Sequence, residues 1–476
     1  MSDFATFQKA IKGDLVLPSK PNYPTAVARW AVNAERKAKI IACVKDNEDV
    51  VLAINHARAN HLPIAIRGGG HNPSGASSSQ DGLVVDLSKY INTVRVDPKE
   101  KLAYVGGGAL WATVDKEAIK YGLATVGGTV NHVGVGGLTL SGGYGWLSSA
   151  HGLVIDNLVQ ATVVTANGDI LTASDAENPD LFFGLRGGGC NFGVVTEFVL
   201  KLHPQRATVY AGVVVFPETA LEKLVDATNE WLPGADDKVG MMQVVTISEG
   251  NLVIFVIVFY NGPEAEGRER FKPLFDIGPI ADRTGEIPFE ALNALHNDRY
   301  PDRKGVYTRG VLHEKPNAQH TRQAISILLQ AYQEHAIRPA VVFEHFPLHK
   351  ITRVPRDKMA FRRDPTSNVI IVLAWDGKSV ADDGFSEKER EVEVERAKKI
   401  AQQLVEIITS QQQPEIEEIH GIGYSNYNSE ALSGSADERA RLVFAENYPK
   451  LQRIKKRYDP DNVFNKWFPI TPAVEE

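Results

Sequence analysis

Only two cysteines stand in 476 residues, Cys43 and Cys190. Two thiols make no disulfide framework, and they are too few for a zinc or iron–sulfur site built on thiolates. No run of about 18 apolar residues occurs, so no membrane-spanning helix is expected. Basic residues hold no surplus: the net charge is −7 and is spread along the chain. Neither nucleic acid nor an anionic membrane surface is therefore an expected partner. The opening stretch MSDFATFQKAIKGDLVLPSK has no basic segment followed by an apolar one, so the expected location is intracellular, in the cytoplasm. No GK[ST] phosphate loop exists. Internal repeats and low-complexity linkers are also missing. The two or three domains that this length suggests are thus expected to pack against one another.

What the chain does have is glycine, 40 residues of it, crowded between positions 68 and 193. Around these glycines the pattern is mixed. NEDVVLAINHARANH has helical spacing, with Val50, Ala53, Ile54 and Ala57 on one face and acids in the first turn. LPIAIR, GLVVDLSK and LAYVGGGALW read as strands, and ATVDKEAIKYG as a helix closed by glycine. The stretch from Gly127 to Leu171 reads as a long glycine-punctuated loop, a helical turn, and two strands about an Asn-Gly turn. A short helix, a second arginine–triglycine run and a strand follow. Beyond Pro204 the glycines thin out. Strands such as TVYAGVVVFP, NLVIFVIVFY, PAVVFEHF and NVIIVLAW alternate with amphipathic helices, which predicts antiparallel sheet plus helices. The tail from Arg439 reads as one helix ending in a DPDN turn.

GVGGLTLSGGYG satisfies dinucleotide-type glycine spacing, but the reading requires a strand before it and a helix directly after. No clean helix is expected to open on these glycines. Two glycine loops, one on each side of residue 100, are instead suited to clamp an extended pyrophosphate, because backbone N–H groups reach an anion where no Cβ intervenes. The alternative is that they are tight strand turns. His71 closes the first loop, Arg67–Gly68–Gly69–Gly70–His71, and is a candidate to touch the ligand. His132, His151, His345 and His349 share no metal-binding spacing on one helix, so no metal site is expected.

Four segments in order, PIAIRGGGHNPSG with DGLVVDLS, VGVGGLTLSGGYGWLSSAHGLVIDNL, NPDLFFGLRGGGCNFGVVTEF and YDPDNVF, resemble the berberine-bridge-enzyme-like branch of the FAD-linked oxidases. That branch has the vanillyl-alcohol-oxidase and p-cresol-methylhydroxylase (PCMH-type) flavin fold. The resemblance implies an α+β protein of two domains. An FAD-binding domain would span residues 1–205, completed by 440–476. A substrate domain of antiparallel sheet covered by helices would span 206–439. FAD would lie against Arg67, Gly68, Gly69, Gly70, His71 and Asn72, then Thr129, Val133, Gly134, Gly137, Gly142, Gly143, Gly152 and Asp156, and finally Val195. In the family the histidine of the first loop is bonded through a ring nitrogen to the flavin 8α-methyl, which here implies His71. Many relatives add a bond from a cysteine to flavin C6. Val130 stands at that position, so one covalent link is expected. A valine just before the first glycine of VGVGG goes with oxidases and a leucine with dehydrogenases; this chain has Val133.

The strand alternation in AVVFEHF puts Val342, Glu344 and Phe346 on one face and Phe343 and His345 on the other. An acid between apolar neighbours is either an edge-strand group in water or a functional one. The resemblance places an acidic or amide residue here, over the flavin. The segment GYSNYNSE matches the family's Y-x-N-Y signature, which implies that Tyr427 lies beside Glu344, with Tyr424 and Asn426 near. Glu344 and Tyr427 are thus the catalytic candidates. The implied activity is hydride removal from a CH–OH or CH–NH carbon of a small-molecule substrate, with molecular oxygen reduced to hydrogen peroxide. Two rivals stay open: a dehydrogenase that passes electrons to a quinone, and a flavin-binding protein without turnover.

Overall fold

The helix over Asn47–Ala59 forms where the spacing predicts it. Its N-cap is Asp46, whose side chain accepts from the Asp49 N–H at 3.0 Å, and it buries Val50, Ala53, Ile54 and Ala57. The computed structural model describes residues 3–295, 297, 303–364, 366–410, 423–429 and 435–474. The helix crosses over between two strands of a four-stranded sheet whose spatial order is Asp14–Val16, Ile40–Cys43, Leu83–Asp86, Ile64–Arg67. Its last three strands are parallel. Ile40–Cys43 and Leu83–Asp86 are buried throughout, as parallel strands covered on both faces are. The loop Gly68–His71 therefore leaves the carboxyl end of a parallel strand.

A second sheet is antiparallel, in the order Val94–Asp97, Leu102–Gly106, Val194–Lys201, Leu158–Val164, Ile170–Ser174. The expected turn at Asn167-Gly168 joins its last two strands, with Gly168 at φ 85°. The glycine stretch differs from expectation. A short helix, Val135–Leu140, opens directly after Gly134. Val135, Leu138 and Leu140 are buried in the main core, and that packing outweighs the helix-breaking cost of Gly136 and Gly137.

The third sheet is antiparallel and seven-stranded, in the order Ala281–Pro288, Thr208–Pro217, Asn251–Tyr260, Val239–Ser248, Arg338–His345, Ser367–Trp375, Gly305–His313. Helices Leu221–Trp231, Ala318–His335 and Glu387–Thr409 share a core with one of its faces, through residues such as Val245, Phe343 and Val369. The other face, through Val213, Met242 and Val342, joins a core with Trp146 and Phe198 of the glycine-rich half. Side-chain alternation thus gives each strand one face for the helices and one for the site. No described helix is long and apolar enough to cross a membrane. The sequence-based boundary at 205/206 falls between the strands His203–Pro204 and Thr208–Pro217, and the one at 439/440 falls inside the helix Ala436–Phe444.

The tail is two helices rather than one, Ala436–Phe444 and Tyr448–Tyr458, broken where Ala445 takes a φ of 45° ahead of Pro449. Its second helix carries Lys455, fully buried, paired with buried Asp459 at 2.6 Å and donating to the carbonyls of Asn191 and Phe464 at 2.7 and 2.6 Å. That ammonium staples the tail to the second arginine–triglycine loop. Lys455→Met strands the Asp459 charge, so a loss of about 3–5 kcal/mol is expected, read as a lower denaturation midpoint. An unmoved midpoint contradicts the staple.

Candidate active site

A cavity lies between the glycine loops and the seven-stranded sheet. Of the expected cofactor and catalytic residues it is lined by Gly68, Gly69, Gly70, His71, Asn72, Thr129, Val133, Gly134, Gly137, Val195, Glu344 and Tyr427. The two loops meet backbone to backbone: a Cβ on Gly69 would lie 2.5 Å from the Gly134 Cα and N, and one on Gly134 2.4 Å from the Gly69 N. Glycine is needed there for loop–loop contact. Gly137 is a different case. A Cβ on it would meet nothing within 4 Å and would project into open space, so that glycine keeps room for whatever occupies the cavity.

The His71 ring is sandwiched. It stacks on Trp30, with centroids 4.0 Å apart and planes within 10°, and its Nε2 lies 3.1 Å from the His132 Nδ1. Burial first, and then His132, push its pKa down to about 3. The ring is therefore neutral and keeps a nucleophilic nitrogen. Neither partner is foreseen from sequence. His132 enters the reading only as a metal candidate, and no local pattern marks Trp30.

Across the cavity, Glu344 is 3% exposed. The Tyr427 hydroxyl donates to its Oε1 at 2.7 Å, while Oε2 is buried without a hydrogen-bond partner among the described residues. Burial pushes the carboxyl up to about 7, tempered by the Tyr427 hydroxyl and the Asn368 amide. Tyr424 is buried beside them: its oxygen accepts from the Gly143 N–H at 2.9 Å, and its ring meets Tyr427 edge-on at 4.8 Å. Glu430, the last residue of the quoted signature, lies outside the described residues.

The raised carboxyl has a stability consequence. The fold prefers the neutral acid, so a penalty begins as pH rises above the ordinary value of 4.5 and is complete above about 7. Glu344→Gln removes the penalty and keeps an acceptor for Tyr427. Between pH 5 and 8 the variant should gain on the wild type by up to about 3 kcal/mol, seen as a rising difference in melting temperature. A difference that does not change with pH contradicts the buried acid.

Five expected cofactor residues lie away from the cavity lining. Arg67 pairs with Asp86 at 3.1 Å and donates to the Ala26 carbonyl at 3.0 Å, behind the loop it precedes. Gly142 and Gly143 turn at φ 112° and 86°, and a Cβ on Gly142 would strike the Phe361 ring at 2.5 Å. Gly152 turns at φ 78°. Asp156 is held by Arg363 at 2.5 and 3.1 Å and accepts from the Leu153 N–H at 2.8 Å. These residues shape the supporting turns. In exchange the cavity includes Trp30, Met242, Ile370 and Trp467.

A cleft with glycine backbone on one wall, a neutral histidine at one loop and a buried carboxylate oxygen opposite fits a dinucleotide whose ring must sit between a glycine wall and a reactive wall. Comparison with known proteins names it. The FAD binding domain family matches residues 38–174, and the berberine and berberine-like family matches residues 423–470. The chain belongs to the FAD-linked oxidoreductases of the berberine-bridge-enzyme-like type. It is 31% identical to FAD-linked oxidoreductase pgmH of Aspergillus terreus, over 99% of this chain and 96% of that protein. Its structure superposes on that of 6-hydroxy-D-nicotine oxidase of Arthrobacter nicotinovorans with a TM-score of 0.83 and 27% identity, covering 98% and 99% of the two chains. Berberine bridge enzyme of Eschscholzia californica shares the fold, with a TM-score of 0.82 at 21% identity and coverage of 100% of both. The protein is thus an FAD-linked oxidoreductase, and its architecture is the expected PCMH-type flavin domain joined to an antiparallel-sheet domain.

Proposed function

We propose that this protein is an oxidase that removes a hydride from a CH–OH or CH–NH carbon of a small metabolite, with molecular oxygen reduced to hydrogen peroxide. The observation that carries the reading is the buried Glu344–Tyr427 pair facing the same cavity as the His71 loop. FAD, when bound, supplies the two-electron acceptor. The protein supplies the rest. Residues 1–205 with 440–476 hold the cofactor, through a single covalent link at His71, and residues 206–439 present the substrate wall. Tyr427 fixes Oε1 of Glu344, which leaves Oε2 to take the O–H or N–H proton of the substrate. If the substrate instead rests on the tyrosine oxygen, Tyr427 is the acceptor. A carrier without turnover has no use for such a pair.

Oxidase and dehydrogenase chemistry separate at Val133, which lines the cavity and whose backbone is fixed by bonds to Trp111 and Val130. Leucine there adds one methylene to a densely packed wall. Enzyme photoreduced without substrate and then mixed with air should regain its yellow colour rapidly and release peroxide. Val133→Leu should slow that recovery by about an order of magnitude or more without altering anaerobic bleaching by substrate. Sluggish recovery of the wild type, with fast turnover on a quinone, makes the protein a dehydrogenase.

A further inference from the structure

Part of the wall beside Glu344 is aliphatic. In the sheet register Met242 sits directly opposite Glu344, Val342 lies two residues before it on the same face, and Ile370 sits opposite Val342. All three line the cavity. Three of the polar groups that line the cavity near them are already engaged. The Thr308 hydroxyl is 3.1 Å from the Ser429 hydroxyl. The Tyr424 oxygen takes the Gly143 N–H, and the Tyr427 hydroxyl is given to Glu344. No lysine or arginine is among the described residues lining the cavity.

We propose, resting on the oxidase reading of this same site, that the substrate is a compact apolar ring compound with one reacting alcohol or amine and no carboxylate or phosphate, and that Met242, Val342 and Ile370 select it. A sugar ring carries several hydroxyls, and each one desolvated without a partner costs about 1–3 kcal/mol. A largely aliphatic wall, with Glu344 Oε2 and the Asn426 amide as its nearby polar groups, leaves most of them unpaired. An anion fares worse: it loses its water, meets no cation, and faces the Glu344 carboxyl. A flat ring lies across the three aliphatic side chains and brings its single polar group to Glu344 Oε2. Selection then follows from the asymmetry between apolar contact, which tolerates variation in size, and unpaired polar groups, which it rejects.

The test uses the FAD-loaded enzyme under nitrogen, titrated with 1-naphthalenemethanol, 2-phenylpyrrolidine, 1-naphthoate and cellobiose while the visible flavin band is followed. At least one of the first two should perturb or bleach the band. Naphthoate and cellobiose should do neither at concentrations about 100-fold higher. Ile370→Asn should weaken the apolar probe by about tenfold or more with the protein still yellow, and Met242→Gln should act in the same direction. Cellobiose or naphthoate binding as well as the apolar probes overturns the inference, and so does failure of both apolar probes to bind. An apolar probe that binds but leaves the flavin oxidised counts against the oxidase reading and leaves the selectivity standing. Bleaching by cellobiose does the reverse.

Discussion

Glu344→Gln and Tyr427→Phe should each slow anaerobic bleaching of the flavin by about 10²–10⁴-fold with the cofactor still in place. The glutamine keeps the size of the side chain and the bond from Tyr427 but takes no proton. The phenylalanine keeps the ring but releases Glu344 Oε1, the oxygen held at 2.7 Å. The pair acts as a unit, so the double variant should be little slower than the slower single variant. The wild-type rate should rise with pH through a limb near 7, where burial has placed the Glu344 carboxyl. Two coupled acids titrate together, so the limb belongs to the pair. Its disappearance in Glu344→Gln assigns the carboxylate as acceptor. Its survival there, with loss in Tyr427→Phe, assigns the phenol. Near wild-type bleaching in both variants removes the pair from the chemistry.

The second large effect is all-or-none. When the holoprotein is precipitated in acid, the yellow colour should stay with the protein, and in His71→Ala it should pass entirely to the supernatant. His71 is neutral and wedged between Trp30 and His132, with Nε2 already occupied by its contact to His132. Release should be complete because Val130, at the position where the resemblance implies a second attachment, lines the cavity without a thiol. Free flavin from the wild type contradicts the link. Retained flavin in His71→Ala points to another attachment, and Cys190, which also lines the cavity, is then the residue to mutate.

The elements that frame the cavity were largely legible, because they rest on local rules. The helix Asn47–Ala59 follows from 3.6-residue spacing and an aspartate cap. The alternation in Arg338–His345 puts Glu344 on the face opposite Phe343, as the two separate cores confirm. What stayed hidden depends on partners distant in the chain. The strands Val239–Ser248 and Gly305–His313 supply Met242 and Thr308 to the site, yet VGMMQVVTIS lacks a clean period-two alternation and GVYTRGVLH is interrupted by Gly310, so neither stands out until neighbours pair with it. The Trp30–His71 stack has no local signature. Glycine was read as making room for a ligand, and Gly137 fits that. Gly69 and Gly134 serve first to let two loops touch. A sequence cannot separate these two uses, since both need only the missing Cβ.

One measurement tests the oxidase most directly. Holoenzyme is mixed anaerobically with an apolar alcohol or amine that perturbs its flavin band, followed to full bleaching, and then opened to air while oxygen uptake and peroxide are both recorded. The prediction is complete bleaching, rapid return of the yellow colour, and one peroxide formed for each oxygen consumed and each substrate oxidised. A band that shifts but never bleaches, or bleached enzyme that stays colourless in air until a quinone is added, contradicts it.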